Sequence, residues 1–189
     1  MKFRPLRAVV PALALLAFAV PALALDTLWV VRHAEKAGDW PSTREMNAFH
    51  PLSESGIARS RRLAERLSEV DLKVIVGSPT TRTLHTGLAA AAEQGCELRV
   101  DRNTIDPNAI GAWLEALREE FPGAGAALVV GHSNTVPWFL SAAGAGDECW
   151  ERLGVSGNED AQLVEGYSGL WEIKLDAEGC AAILRHDLP

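Results

Sequence analysis

The chain has 189 residues, 48% of them hydrophobic and 23% charged, with 18 basic and 25 acidic residues and a net charge of −7. This length and composition describe one globular domain with a sizeable core; they exclude two full domains and a disordered or low-complexity chain. The acidic balance argues against nucleic acid or an anionic membrane surface as partner, so an anionic ligand needs a local basic cluster to hold it.

The first 25 residues differ from the rest. Lys2, Arg4 and Arg7 precede an apolar run from Ala8 to Leu25 that ends in Ala22-Leu23-Ala24. A basic start, an apolar middle and a small-residue end are the layout of a secretory signal peptide. The run of 18 residues carries Pro11 and Pro21 and lies at the lower limit for a membrane span. Residues 1–24 are therefore expected to be cleaved, leaving 25–189 as a single domain in the periplasm or secreted, with no membrane insertion. Without the three basic residues of that segment, 15 basic residues face 25 acidic ones, a net charge of −10.

After it, strand-like and helix-like segments alternate. Thr27 to Arg32 is a short apolar run (Leu28, Trp29, Val30, Val31) that reads as a buried strand. Residues 54–69 place Ile57, Leu63, Ala64 and Leu67 at helical spacing behind Ser53 as N-cap. A strand is expected over 73–77, a helix over 80–93 and a strand over 97–100. Asp106-Pro107 reads as the cap and first turn of a helix whose stripe is Ile110, Trp113, Leu114, Leu117 and Phe121. A strand over 126–131, a helix over 135–143 and a final pair of strands over 169–175 and 181–186 complete the series. The fold expected is α/β, a three-layer sandwich with a mostly parallel central sheet, helices on both faces and one antiparallel edge strand.

Ligands of open α/β sheets bind beyond the carboxyl ends of the strands. Here those ends run into Arg32-His33-Ala34-Glu35-Lys36, Gly77-Ser78-Pro79-Thr80-Thr81-Arg82 and Gly131-His132-Ser133-Asn134-Thr135. Two arginines, two histidines and a lysine would then face one crevice. Guanidinium groups grip phosphate oxygens with a planar fork of donors, and imidazole is a competent nucleophile at neutral pH. Fixed cations stabilise a transferring phosphoryl group without a metal.

Arg32-His33-Ala34-Glu35, Ser78-Pro79-x-x-Arg82-x-x-x-Thr86 and Gly131-His132-Ser133-Asn134, in this order, together with Pro51-Leu52-Ser53-Glu54-Ser55-Gly56, resemble the histidine phosphatase superfamily with its phosphoglycerate mutase-like fold. The resemblance spans about Leu28 to His132. It implies a phosphatase acting on a small phosphorylated substrate, a phosphomonoester or a phosphoramidate. In that reading His33 is the phosphorylated nucleophile, Arg32 and Arg82 bind phosphate, and His132 donates to a phosphate oxygen. Ser133 and Asn134 line the wall, Lys36 is a further contact, and His85 stands where many members have glutamine and either touches the site or packs. Ala34 stands where many members have glycine. The mutase branch has a longer chain and a lid, so hydrolysis is favoured here.

The proton donor to the leaving group stays open. Glu35 is the first candidate, its competing role being a salt bridge; Asp106, in the region where some members carry their acid, and Asp101 follow. A phosphohistidine or other phosphoramidate substrate needs less help, and a dedicated acid could then be absent. The alternative function is a phospho-ligand binding module that keeps the fold without turnover. A metal hydrolase built on His33, His85 and His132 lacks carboxylates at ligand spacing, and two arginines would repel the cation, so no metal and no cofactor are expected. Cys96, Cys149 and Cys180 form no Cys-x-x-Cys pair. In an oxidising compartment one disulfide is open to them in three pairings, of which Cys149–Cys180 is preferred, with three buried thiols as the equal alternative. Oligomeric state is not legible.

Overall fold

The computed structural model describes residues 25–41, 43–158, 161–177 and 179–188. The expected signal peptide, 1–24, lies outside them. Among the described residues, eight strands and six α-helices follow one another: β1 (Thr27–Arg32), α1 (Arg44–Asn47), α2 (Glu54–Arg66), β2 (Leu72–Gly77), α3 (Thr81–Gln94), β3 (Glu97–Val100), α4 (Ile110–Glu120), β4 (Ala126–Gly131), α5 (Val136–Ala142), α6 (Asp147–Leu153), β5 (Val155–Asn158), β6 (Ala161–Val164), β7 (Gly169–Lys174) and β8 (Ile183–Asp187).

Six strands form one sheet in the order β3-β2-β4-β1-β7-β8, and β5 and β6 form a separate antiparallel pair. The pairs β3–β2, β2–β4 and β4–β1 are parallel, while β7 is antiparallel to both β1 and β8. The reversed strand is thus β7, one position in from the edge. The edge strand β8 runs with β1, because two successive reversals restore the direction.

Side chains alternate across a strand, and here both faces are covered. Leu28, Val30, Val74, Val76, Ala127 and Val129 pack with Ile110, Trp113, Leu114 and Leu117 of α4 and with Phe139 and Leu140 of α5. Trp29, Val31, Ile75, Leu128 and Val130 pack with Leu63 and Ala64 of α2, with Leu67 just past its end, and with Ala90 and Ala91 of α3. This double covering explains why the central strands read as unbroken apolar runs. Helix α3 lies close on β2 because Gly87 has no side chain; a Cβ there would stand 2.7 Å from the Ile75 Cγ2.

The Asp106 cap forms differently. Arg102–Ile105 is a short 3-10 turn, Asp106 accepts from the Asn108 amide at 3.0 Å, and α4 begins only at Ile110. The carboxylate caps a local turn instead of the helix, because Asp101 and the turn after it already hold this stretch. Cys149 and Cys180 are joined by a disulfide with their Cα atoms 5.6 Å apart, and Cys96 is free. Among the described residues, no helix is long and apolar enough to cross a membrane.

Candidate active site

Strands β2, β4 and β1 are neighbours and parallel, so their carboxyl ends share one rim. The register pairs Arg32 with Gly131 and Gly77 with Val130, which sets the three strand-end motifs side by side. His33 donates its amide to the Gly131 carbonyl at 2.9 Å, continuing the ladder one residue beyond β1. The Ala34 amide donates to the Thr86 hydroxyl at 2.9 Å, and that hydroxyl donates to the Arg82 carbonyl at 2.7 Å. Thr86 therefore ties the turn after β1 to the first turn of α3. Gly131 leaves room for Thr135, whose hydroxyl accepts from the His132 amide at 2.8 Å and would lie 2.6 Å from a Cβ at position 131.

These ties surround a cavity of about 350 Å³ lined by Arg32, His33, Lys36, Arg82, His132, Ser133 and Asn134, with Ile105, Thr135 and Trp138 on its wall. His33 is 4% exposed and Arg82 8%. The two imidazoles meet edge to face with ring centroids 5.3 Å apart. A larger hollow of about 410 Å³ beside α4 holds the Arg99–Glu120 ion pair and Asp101, and no histidine lines it.

The His33 Nδ1 lies 2.8 Å from the Ala34 carbonyl oxygen. A carbonyl only accepts, so Nδ1 carries the proton and Nε2 holds the free lone pair of the neutral ring. Burial pushes the His33 pKa down to about 3; the Ala34 carbonyl opposes this, and His132, Arg82 and Arg32 add to it. The His132 pKa falls to about 4, first through burial and then through Arg82, Arg32 and Lys36. Both rings are neutral at pH 7. The wholly buried Ser78 hydroxyl lies 2.7 Å from the His132 Nε2 and can either give or take a proton there. Arg82 Nη2 can only donate to the ring's Nδ1 at 3.5 Å, so the neutral ring carries its proton on Nε2, toward Ser78, and Nδ1 gains a proton for an anion only when the ring becomes cationic.

Arg82 donates through Nη1 to the Asn47 carbonyl at 2.7 Å, and the Thr81 amide donates to the Ala48 carbonyl at 2.8 Å. The segment around α1 thus shapes the crevice by bracing Arg82. Its Trp40 is held elsewhere, donating to the Met46 carbonyl and stacking on His50. Arg32 donates through Nη1 to the Gly166 carbonyl at 2.8 Å. Arg32 Nε and Arg82 Nε find no hydrogen-bond partner among the described residues.

Two candidates stand outside the crevice. Glu35 accepts from Arg59 Nε with both oxygens at 3.0 Å and from Arg59 Nη2 at 2.8 Å. Although burial opposes it, this guanidinium holds the Glu35 carboxyl below the usual range. His85 is exposed on α3 and lines a different, apolar hollow with Ile57 and Leu88. Of the other acid candidates, Asp101 accepts from Trp113 Nε1 at 2.7 Å and from the Asn103 amide at 2.9 Å, and Asp106 holds the turn described above. Among the described residues, no carboxylate lines the crevice. Sequence reasoning missed Tyr167, whose ring stands 4.3 Å from the Arg32 guanidinium carbon and 6.1 Å from the His33 ring. Nothing in the local sequence marks it, because it reaches Arg32 only through the β5–β6 pair.

Residues 28–106 match the model of the histidine phosphatase superfamily (branch 1). No curated protein matches the sequence. Among solved structures the chain is similar to the protein histidine phosphatase SixA complexed with tungstate, at 18% identity and a TM-score of 0.60, over 85% of this chain and 94% of that one. It is similar to YhfR of Bacillus stearothermophilus at 18% identity and a TM-score of 0.60, over 87% and 95% of the chains. A mycobacterial glucosyl-3-phosphoglycerate phosphatase aligns at 16% identity and a TM-score of 0.59, over 86% and 96%. The match over residues 28–106 takes in the strand-end motifs at Arg32-His33 and Ser78 to Arg82, and the solved structures share the fold, so over that stretch the chain is similar to the histidine phosphatase superfamily (branch 1).

Proposed function

We propose that this protein is a phosphatase that transfers a phosphoryl group to His33 Nε2 and then to water. The observation that carries the reading is the hydrogen bond from His33 Nδ1 to the Ala34 carbonyl. It leaves the other nitrogen as a lone-pair nucleophile in a cavity that Arg32, Arg82 and His132 share. Phosphate oxygens bind the two guanidinium forks, and the negative charge raises the proton affinity of His132, which donates to the same group. The bond from phosphorus to the leaving atom breaks as the bond to Nε2 forms. Water then attacks phosphorus, Nε2 departs, and inorganic phosphate is released.

The three carboxylates considered as proton donor are all engaged elsewhere. This favours a leaving group that departs without a carboxylic acid beside it, so a phosphoramidate is the preferred substrate and an unactivated phosphomonoester the poorer one. The fold shared with a protein histidine phosphatase agrees with that choice. Turnover is proposed to need no metal, since among the described residues the crevice presents guanidinium, ammonium and imidazole groups and no carboxylate. The Cys149–Cys180 disulfide supports a site of action in the periplasm or outside the cell.

The test is steady-state hydrolysis of phosphoramidate and of a phenyl phosphate series, with and without chelator, for the native chain and His33→Ala. The expectation is chelator-insensitive turnover, phosphoramidate first, with a loss of at least about a thousandfold in His33→Ala. A His33→Ala variant with native turnover would overturn the reading. A native chain that binds phosphate and turns over nothing would instead favour the binding module.

A further inference from the structure

Arg32 sits at the end of β1, but its guanidinium is not held by β1 or by its sheet neighbours. Its Nη1 donates to the Gly166 carbonyl at 2.8 Å and lies 3.4 Å from the Val164 carbonyl. Its planar face lies under the Tyr167 ring at 4.3 Å. All three partners belong to the end of β6 and the loop after it. That loop has its own anchor on the crevice, because the Val164 amide donates to the Ser133 carbonyl at 2.8 Å.

We infer that Tyr167 is a positioning residue for phosphate binding: its ring and the preceding Gly166 carbonyl clamp the Arg32 guanidinium in the plane that meets the anion. This rests on the proposed phosphate site. An arginine free to swing gives up the entropy of its long side chain when it binds an anion, whereas a clamped one has already lost it. The carbonyl fixes one nitrogen, and the aromatic face fixes the plane of the rest. One edge of the fork is spent on the protein and the other is left for phosphate oxygens. Gly166 suits the place because its backbone is left-handed, with φ +64°.

The measurement is calorimetric binding of inorganic phosphate and of tungstate by the full chain and its Arg32→Ala, Tyr167→Phe, Tyr167→Leu and Arg32→Ala/Tyr167→Leu variants, with a thermal melt of each. Tyr167→Phe keeps the aromatic face and is expected to bind like the native chain. Tyr167→Leu is expected to weaken binding about three- to thirtyfold, the range that a cation–π contact commands, with an unchanged melting temperature. In the Arg32→Ala background, Tyr167→Leu is expected to add nothing, since its effect passes through that arginine. If Tyr167→Leu does not fold, Tyr167→Gln carries the same expectation. Native affinity in Tyr167→Leu, or an equal loss with and without Arg32, overturns the clamp. A native chain that binds no phosphate overturns the site itself, and the two failures are told apart by the native and Arg32→Ala arms.

Discussion

Two imidazoles buried beside two arginines and a lysine hold protons weakly, and this has a consequence for stability. The folded-state pKa values of about 3 for His33 and about 4 for His132 lie below the ordinary 6.5. Below pH 6.5 the unfolded chain therefore binds more protons than the folded one. The stability these neutral rings contribute is fully present above 6.5 and is lost as pH falls toward 4 and then 3. The melting temperature of the native chain is expected to drop between pH 6.5 and 4 more steeply than that of a His33→Asn/His132→Asn variant, and phosphate is expected to restore part of the drop. Equal slopes for the two proteins would contradict the account. At this scale the sequence showed which residues lie at the strand ends and not where their side chains turn. Glu35 lies two residues from His33, yet Arg59, 24 residues on and one turn into α2, takes its carboxylate. Local spacing carries no information about that competition. The same holds for Tyr167, which reaches Arg32 across 135 positions of sequence.

The elements that build the crevice were legible because their patterns answer to packing. β1, β2 and β4 are apolar over residues 28–31, 74–76 and 126–130 because both faces are covered, and α4 shows its buried stripe at helical spacing, whereas in α2 Leu63 and Ala64 are buried and Ile57 is exposed. The segment Pro51 to Gly56 has a physical reason as well. Ser53 caps α2 by accepting from the Gly56 amide at 3.1 Å, and its own amide donates to the Glu35 carbonyl at 2.9 Å. The helix start therefore rests on the turn that follows His33. A Cβ at position 56 would stand 2.3 Å from the Glu35 carbonyl oxygen, and a backbone atom cannot swing aside. Gly56→Ala is expected to cost roughly 1–3 kcal/mol by overpacking and to lower turnover, since the Glu35–His33 turn must shift. Denaturant unfolding with a parallel phosphatase assay checks both, and native stability in Gly56→Ala would sink this account of the motif. The β5–β6 pair and α6 escaped the sequence reading for the opposite reason. β5 and β6 are short and mostly exposed, and only Val155 and Val164 are buried along them, so no alternation of useful length is written there.

At the scale of the whole molecule, the order β3-β2-β4-β1-β7-β8 puts the three motif-bearing strands next to one another with β4 in the middle. Residues 32–33, 82 and 131–132, which lie far apart in the chain, thereby become one anion-sized hollow. The sequence implied a parallel sheet but left the order of its strands open, because helices of similar length would cover other orders equally well. The last third of the chain then closes the arrangement. β7 pairs with β1, the disulfide ties α6 to the approach to β8, and the loop after β6 returns to hold Arg32. The account stands on one covalent event at one nitrogen. The most direct measurement is rapid quenching of the native chain during phosphoramidate turnover, with the modified residue located by mass spectrometry under alkaline conditions. A phosphoryl group on His33 that vanishes as substrate is exhausted is the predicted result; steady turnover with His33 never phosphorylated, or with the group on another residue, would contradict it.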